Sequence, residues 1–147
     1  MSLKDRISED MKEAMKAHEK DRLAVIRMVR SAIRQTEIDG KKELDDEGVI
    51  AVISKELKMR KDSLEEFGKG GREDLVEKTR AEIEVLLPYL PEQLSEEEVK
   101  AMVEDAVKET GAASVKDMGK VMGVLMPKVK GRADGKLVNR LVKAALG

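Results

Sequence analysis

The sequence predicts an all-α protein: an N-terminal bundle of about four helices over residues 1–90, then a small three-helix domain over 91–147. Three observations carry that expectation. Charged residues make up 40% of the chain, and Ala, Leu, Glu, Lys and Arg dominate, a composition of good helix formers. Apolar residues recur three and four positions apart, and no period-two alternation runs long enough to specify a strand. Glycine and proline cluster where the helical periodicity stops.

The first helix is expected from about Ser2 to Glu19, with Leu3, Ile7, Met11, Ala14 and Met15 on one face. The second starts near Asp21 and ends before Asp39-Gly40. Val25, Met28, Val29, Ala32 and Ile33 give it a wide apolar face, which places it centrally. The third begins at Asp45 or Asp46 and ends near Gly68, with Val49, Ile53, Leu57, Leu64 and Phe67 at helical spacing. Lys69-Gly70-Gly71 breaks the pattern. The fourth spans about Glu73 to Leu87, carrying Leu75, Ile83, Leu86 and Leu87, and Pro88 and Pro91 stop it.

The segment Pro88 to Leu94 reads as a stiff connection between the two parts. Ser95 with Glu98 forms a capping-box pattern before Val99, Met102, Val103, Ala106 and Val107, and Gly111 sits where a C-terminal cap is expected. Ser114 with Asp117 reads as a second box opening a helix that reaches Pro127. Asp134 is a good N-cap for the last helix, whose Leu137, Val138, Leu141 and Val142 face inward.

Several function classes are excluded by what is missing. With no Cys there is no thiolate nucleophile, disulfide framework or thiolate metal site, and the single His18 cannot make a zinc site alone. His18 is expected near the end of the first helix, in a structural role. The serines are scattered, several look like caps, and none sits in a Gly-rich nucleophile loop. Paired acids lie at helix starts, where the macrodipole favours them. There is no phosphate-binding loop and no dinucleotide fingerprint. The reading therefore names no catalytic residue, no metal ligand and no cofactor. The longest apolar runs, such as Val49 to Ile53, are far short of a membrane span. The N-terminus reads as neither a signal nor a transit peptide, so no membrane association and a cytoplasmic location are expected.

Charge is distributed unevenly. Residues 116–143 hold eight cations against Asp117 and Asp134, a net +6, whereas residues 1–115 carry −7. A basic end on an acidic body suggests a polyanion partner, nucleic acid first. The candidate nucleic-acid-binding residues are Lys116, Lys120, Lys128, Lys130, Arg132, Lys136 and Arg140. On a helical wheel Val115, Met118, Val121, Met122 and Leu125 share one face, Lys116 and Lys120 lie opposite, and Gly119 and Gly123 fall between. That glycine pair leaves a flat surface for another backbone, either a neighbouring helix or a sugar-phosphate strand. Lys128 to Lys136 reads as a glycine-containing loop with four cations, Lys as point charges and Arg as a fork for phosphate. Arg27, Arg30 and Arg34 line one face of the second helix, opposite its apolar face, and are expected to form ordinary surface ion pairs with nearby acids, with an extension of the RNA surface as the alternative.

The run DMGKVMGVLMPKVKGRADGKLVN, preceded by LPEQLSEEEV at 90–99, resembles the YqeY family. That family is similar to the C-terminal tail domain of the B subunit of the tRNA-dependent amidotransferases, and a comparable module is fused to some glutaminyl-tRNA synthetases. The resemblance covers essentially the whole chain and is most specific in this run. It implies an all-α fold and an accessory tRNA-binding role beside glutamine-dependent amidation or aminoacylation, with an amidotransferase or aminoacyl-tRNA synthetase as partner. The family label of carbon–nitrogen ligase with glutamine as amido donor would belong to other domains. The basic end has no aromatic on which to stack bases. The expected target is thus a folded, helical RNA read by backbone and shape, such as the tRNA elbow or acceptor stem. Two alternatives stand beside it: an adaptor whose acidic N-terminal bundle docks on a tRNA-processing enzyme, and a stand-alone enzyme with an unrecognised site.

Overall fold

Local capping starts most of the helices. In the computed structural model, which describes residues 1–147, Ser2 Oγ accepts from Asp5 N at 3.1 Å while Asp5 Oδ2 accepts from Ser2 N at 3.2 Å. This box opens α1, Leu3–Lys16. α2 runs Lys20–Gly40 and α3 Asp46–Lys69, where Asp45 Oδ1 accepts from Gly48 N at 2.8 Å. α4 spans Glu73–Leu86, followed by a 3-10 turn at Leu87–Tyr89. α5, Glu96–Thr110, carries the expected Ser95/Glu98 box. α6 covers Met118–Val129 and α7 Gly135–Leu146, the latter capped by Asp134. All seven helices are α-helical and there is no strand, so the all-α class holds.

The helix ends are set by left-handed residues. His18 (φ 58°) and Glu19 direct their N–H groups to Met15 O and Ala14 O, a Schellman turn that ends α1 at Lys16 and not at Glu19. His18 therefore lies beyond the helix, in the turn. Lys41 (φ 51°) closes α2 in the same way, and Gly111 (φ 66°) closes α5. The first two ends were not readable from sequence, because a left-handed His or Lys has no glycine to announce it.

Two expectations in the C-terminal part fail locally. Ser114 forms no cap hydrogen bond. A 3-10 turn at Val115–Asp117 precedes α6 instead, and Asp117 Oδ2 reaches back to accept from Ala113 N at 2.9 Å. Pro127 does not end α6; it sits inside the helix, which continues to Val129. Near a helix end the proline forfeits only one bond, that to the Gly123 carbonyl.

The chain divides into two compact units, Met1–Leu90 and Pro91–Gly147. In the first, α2 packs on α1, α3 and α4, as its wide apolar face implied. The core holds Ile7, Ala14, Val25, Ile26, Val29, Ile33, Val49, Ile53, Leu57, Leu86 and Tyr89. Met15, Met28 and Leu87, expected inside, are exposed, while Ile26 is buried. Tyr89 closes this core. Its hydroxyl donates to Asp10 Oδ2 at 2.5 Å, and Arg6 lies 4.9 Å above its ring. Burial, then the hydrogen bond to Asp10 and the Asp10 charge, raise the phenol above its ordinary pKa. Arg60 is also buried, held by Glu56 Oε2 at 2.7 Å, with its Nε 3.4 Å from Glu82 Oε1 but not hydrogen-bonded to it.

In the second unit α5 packs on both α6 and α7. Val99, Val103, Ala106, Val121, Leu125, Val129, Val138, Val142 and Leu146 form its core. Burying each such aliphatic contributes about 1.5–3 kcal/mol. Valine supplies six of these nine core residues. Val115, expected on this face, is exposed because the 3-10 turn rotates it off the α6 register.

Candidate nucleic-acid interface

α6 buries Val121, Leu125 and Val129 and turns Gly119, Lys120 and Gly123 outward. A Cβ added at either glycine would meet nothing within 4 Å. No other helix of the Pro91–Gly147 unit packs on the flat surface they make. Each glycine costs the helix about 0.5–1 kcal/mol relative to Ala, with no internal packing in return.

The candidate cations differ in what they already do. Lys116 stands exposed on the 3-10 turn, and Lys136 is exposed in the first turn of α7, where its N–H enters the Asp134 cap at 3.1 Å. Lys120 lies 4.0 Å from Asp117 and Lys128 3.8 Å from Glu109. Arg140 pairs with Glu96 at 2.5 Å. These pairs are largely solvent-exposed, so each is worth about 0–1 kcal/mol and yields readily to a polyanion. Lys130 is exposed at the C-cap of α6.

Arg132 is already engaged within its own unit. Its Nε donates to Glu92 O at 3.1 Å and one terminal nitrogen reaches Lys128 O at 3.4 Å. Its own carbonyl accepts from Leu94 N at 2.8 Å, and Gln93 Nε2 donates to Gly131 O at 2.7 Å. Arg132 therefore braces the α6–α7 loop against the segment that leads into α5. Lys128, expected in that loop, belongs to the last turn of α6. The loop proper is short, from Lys130 to Asp134.

The basicity is one-sided. Residues 91–147 carry ten cations and nine acids, and seven of those acids lie between Glu92 and Glu109, on or just before α5. Sequence counting over 116–143 did not show that the acidic helix packs directly on the basic pair. The result is a nearly neutral unit with an acidic helix and a basic α6–α7 side. The α7 N-terminus is already occupied by the Asp134 carboxylate. No group of three or more His, Cys, Asp or Glu residues is placed to hold a metal ion.

Arg27, Arg30 and Arg34 do not form the ion pairs expected of them. One Arg30 nitrogen contacts Met11 Sδ at 3.0 Å, and Arg34 acts on Glu37 only through space, as one of the smaller causes that lower that carboxyl. The acid closest in sequence to Arg34, Glu37, is held by Lys4 and by the Leu44 N–H.

A family model described as Yqey-like protein matches residues 4–146. A protein of Pyrenophora tritici-repentis, named altered inheritance of mitochondria protein 41, mitochondrial, is 34% identical over 147 residues, covering 97% of this chain and 80% of its own length. A protein of the same name from Kluyveromyces lactis is 46% identical over 101 residues, covering 66% of this chain and 54% of its own length. The match thus spans only about half of that relative. Both names assign those proteins to mitochondria, not to the cytoplasm expected here. No helix of this chain is long and apolar enough to cross a membrane.

Proposed function

The chain belongs to the Yqey-like protein family, and from that premise we propose that it is an accessory tRNA-binding protein acting beside glutamine-dependent tRNA amidation or aminoacylation. The observation that carries the proposal is the one-sided α6–α7 surface: exposed lysines flank a glycine face that nothing in its own unit covers. Lys116, Lys120, Lys128, Lys130, Lys136 and Arg140 contact phosphates, and Arg132 holds the loop that presents them. The absence of aromatics favours helical RNA read by backbone and shape. No catalytic step is assigned to this chain. The reading places the protein where tRNA is made or used, either the cytoplasm or an organelle with its own translation.

The test is a tRNA titration at two salt concentrations. If about five phosphates are engaged, log K falls against log salt with a slope of roughly −3 to −5. Changing Lys116, Lys120 and Lys136 together to Glu weakens binding more than about tenfold and flattens the slope. An unchanged affinity in the folded triple variant would remove RNA from this face.

One observation supports the adaptor alternative. Ala24, Val25, Met28, Ala81 and Val85 line a cleft of about 500 Å³ between α2 and α4, together with two acids and two cations, Asp21, Glu82, Arg22 and Lys78, and Met28 is 47% exposed. Docking there would rest mainly on apolar contact and depend on salt less steeply than phosphate binding.

A further inference from the structure

A cleft between α1 and α2 is lined by cations that its single acid cannot neutralise. Arg27, Arg30 and Arg34 project into it from one face of α2, and Lys4 enters from α1. Like charges at this spacing repel. The usual remedy, pairing with acids, is absent. Glu37 alone carries negative charge in the lining, and Lys4 Nζ lies 2.5 Å from its Oε2. That bond, with the Leu44 N–H, holds the Glu37 carboxyl below the ordinary carboxylate range. Three guanidinium charges are left over.

The rest of the cleft suits an organic anion. Its volume is about 560 Å³, within the range of small-molecule sites. Ser8 and Ser31 add hydroxyl donors, and Ile7, Met11 and Ile33 supply apolar wall. A lone carboxylate would leave most of the positive charge unanswered. A phosphate ester with two or more charges matches it, and each guanidinium can grip phosphate oxygens bidentately. We propose that the α1–α2 cleft is a second anion site, which binds a multiply charged organic phosphate of the nucleoside diphosphate kind through Arg27, Arg30 and Arg34. It lies in the first unit, so it stands independently of the α6–α7 surface. The phosphate comes from a free nucleotide or from the 5′-phosphorylated end of a strand.

The experiment is calorimetric titration of the full chain, at moderate salt and without magnesium, with ADP and with a short RNA oligonucleotide bearing or lacking a 5′-phosphate. Saturable binding is expected. Arg27→Gln with Arg34→Gln should weaken it at least about tenfold, and Ser31→Glu, at an exposed helical position, should do so by placing a carboxylate among the arginines. Circular dichroism reports whether each variant is folded, and if the double variant is not, Ser31→Glu decides. Lys116→Glu, Lys120→Glu and Lys136→Glu together should leave ADP affinity unchanged, even if tRNA binding is lost. Arginine-dependent binding of ADP assigns a free nucleotide. Binding of the 5′-phosphorylated oligonucleotide alone, lost in the same variants, assigns a strand end. No saturable binding of either, or binding indifferent to both folded variants, would overturn the proposal.

Discussion

Replacing Arg132 separates a structural brace from a phosphate contact. The guanidinium bonds two carbonyls, Glu92 O at 3.1 Å and Lys128 O at 3.4 Å. A good hydrogen bond to a charged group is worth about 1.5–3 kcal/mol. The second bond here is long, and both carbonyls can be rehydrated once the arginine is gone. Arg132→Gln and Arg132→Lys are therefore each expected to destabilise the Pro91–Gly147 unit by about 1–2 kcal/mol, since an ammonium cannot reproduce the fork. For a unit of this size that lowers Tm by roughly 4–16 °C. Thermal melts followed by hydrogen exchange at amides of α5, α6 and α7 would read the loss, with α1 to α4 unaffected. The salt slope of tRNA binding should be the same for Arg132→Lys as for the parent. The reasoning fails if Arg132→Lys keeps full stability while Arg132→Gln sheds tRNA affinity, because the guanidinium would then serve RNA and not the loop.

Ser95→Ala should cost about 1 kcal/mol as a true N-cap, whereas Ser114→Ala should cost less than about 0.5 kcal/mol, a contrast that urea melts of the two variants would show. Gly119→Ala with Gly123→Ala should stabilise α6 by about 1–2 kcal/mol in total, because a Cβ meets nothing at either site. The same pair should weaken tRNA binding if a sugar-phosphate backbone lies on that face. Tyr89 has its folded pKa raised above the ordinary phenol value of about 10, so the stability its neutral form contributes is fully present below that pH. It is lost as pH rises above about 10 toward the folded value, when the unfolded chain ionises first. Tyr89→Phe should lower stability at neutral pH by about 1–2 kcal/mol, leaving Asp10 without its donor, and should blunt the alkaline loss in pH-dependent melts.

What could be read in advance was what acts within about one turn of helix. The boxes at Ser95 and the caps at Asp45 and Asp134 depend on residues two or three positions away, so their residue types announce them. Ser114 and Asp117 carried the same pattern and did not form the box. Asp117 turned back to the Ala113 N–H, a choice between two local partners that spacing cannot rank. The apolar stripes gave the correct helices but not their depth. Met15 and Met28 lie on such stripes yet are exposed, since burial needs a helix opposite and the stripe cannot say how wide that neighbour is.

The sequence by itself determined the helical class, most of the helix starts and the uneven charge along the chain, because propensity, capping and net charge are properties of neighbours or of simple counts. Only the tertiary structure decided which cations are committed and which are open. Arg132 meets a carbonyl 40 positions away, Lys4 meets Glu37 from 33 positions away, and Arg60 is buried against Met28 from 32 positions away. It also showed that Arg27 and Arg34 make no direct ion pair, although Arg34 acts on Glu37 through space, and that the Gly119–Gly123 face is open within its own unit. Charge pairing and burial are settled by which helices pack together, and that packing is a property of the folded whole that no window of sequence contains.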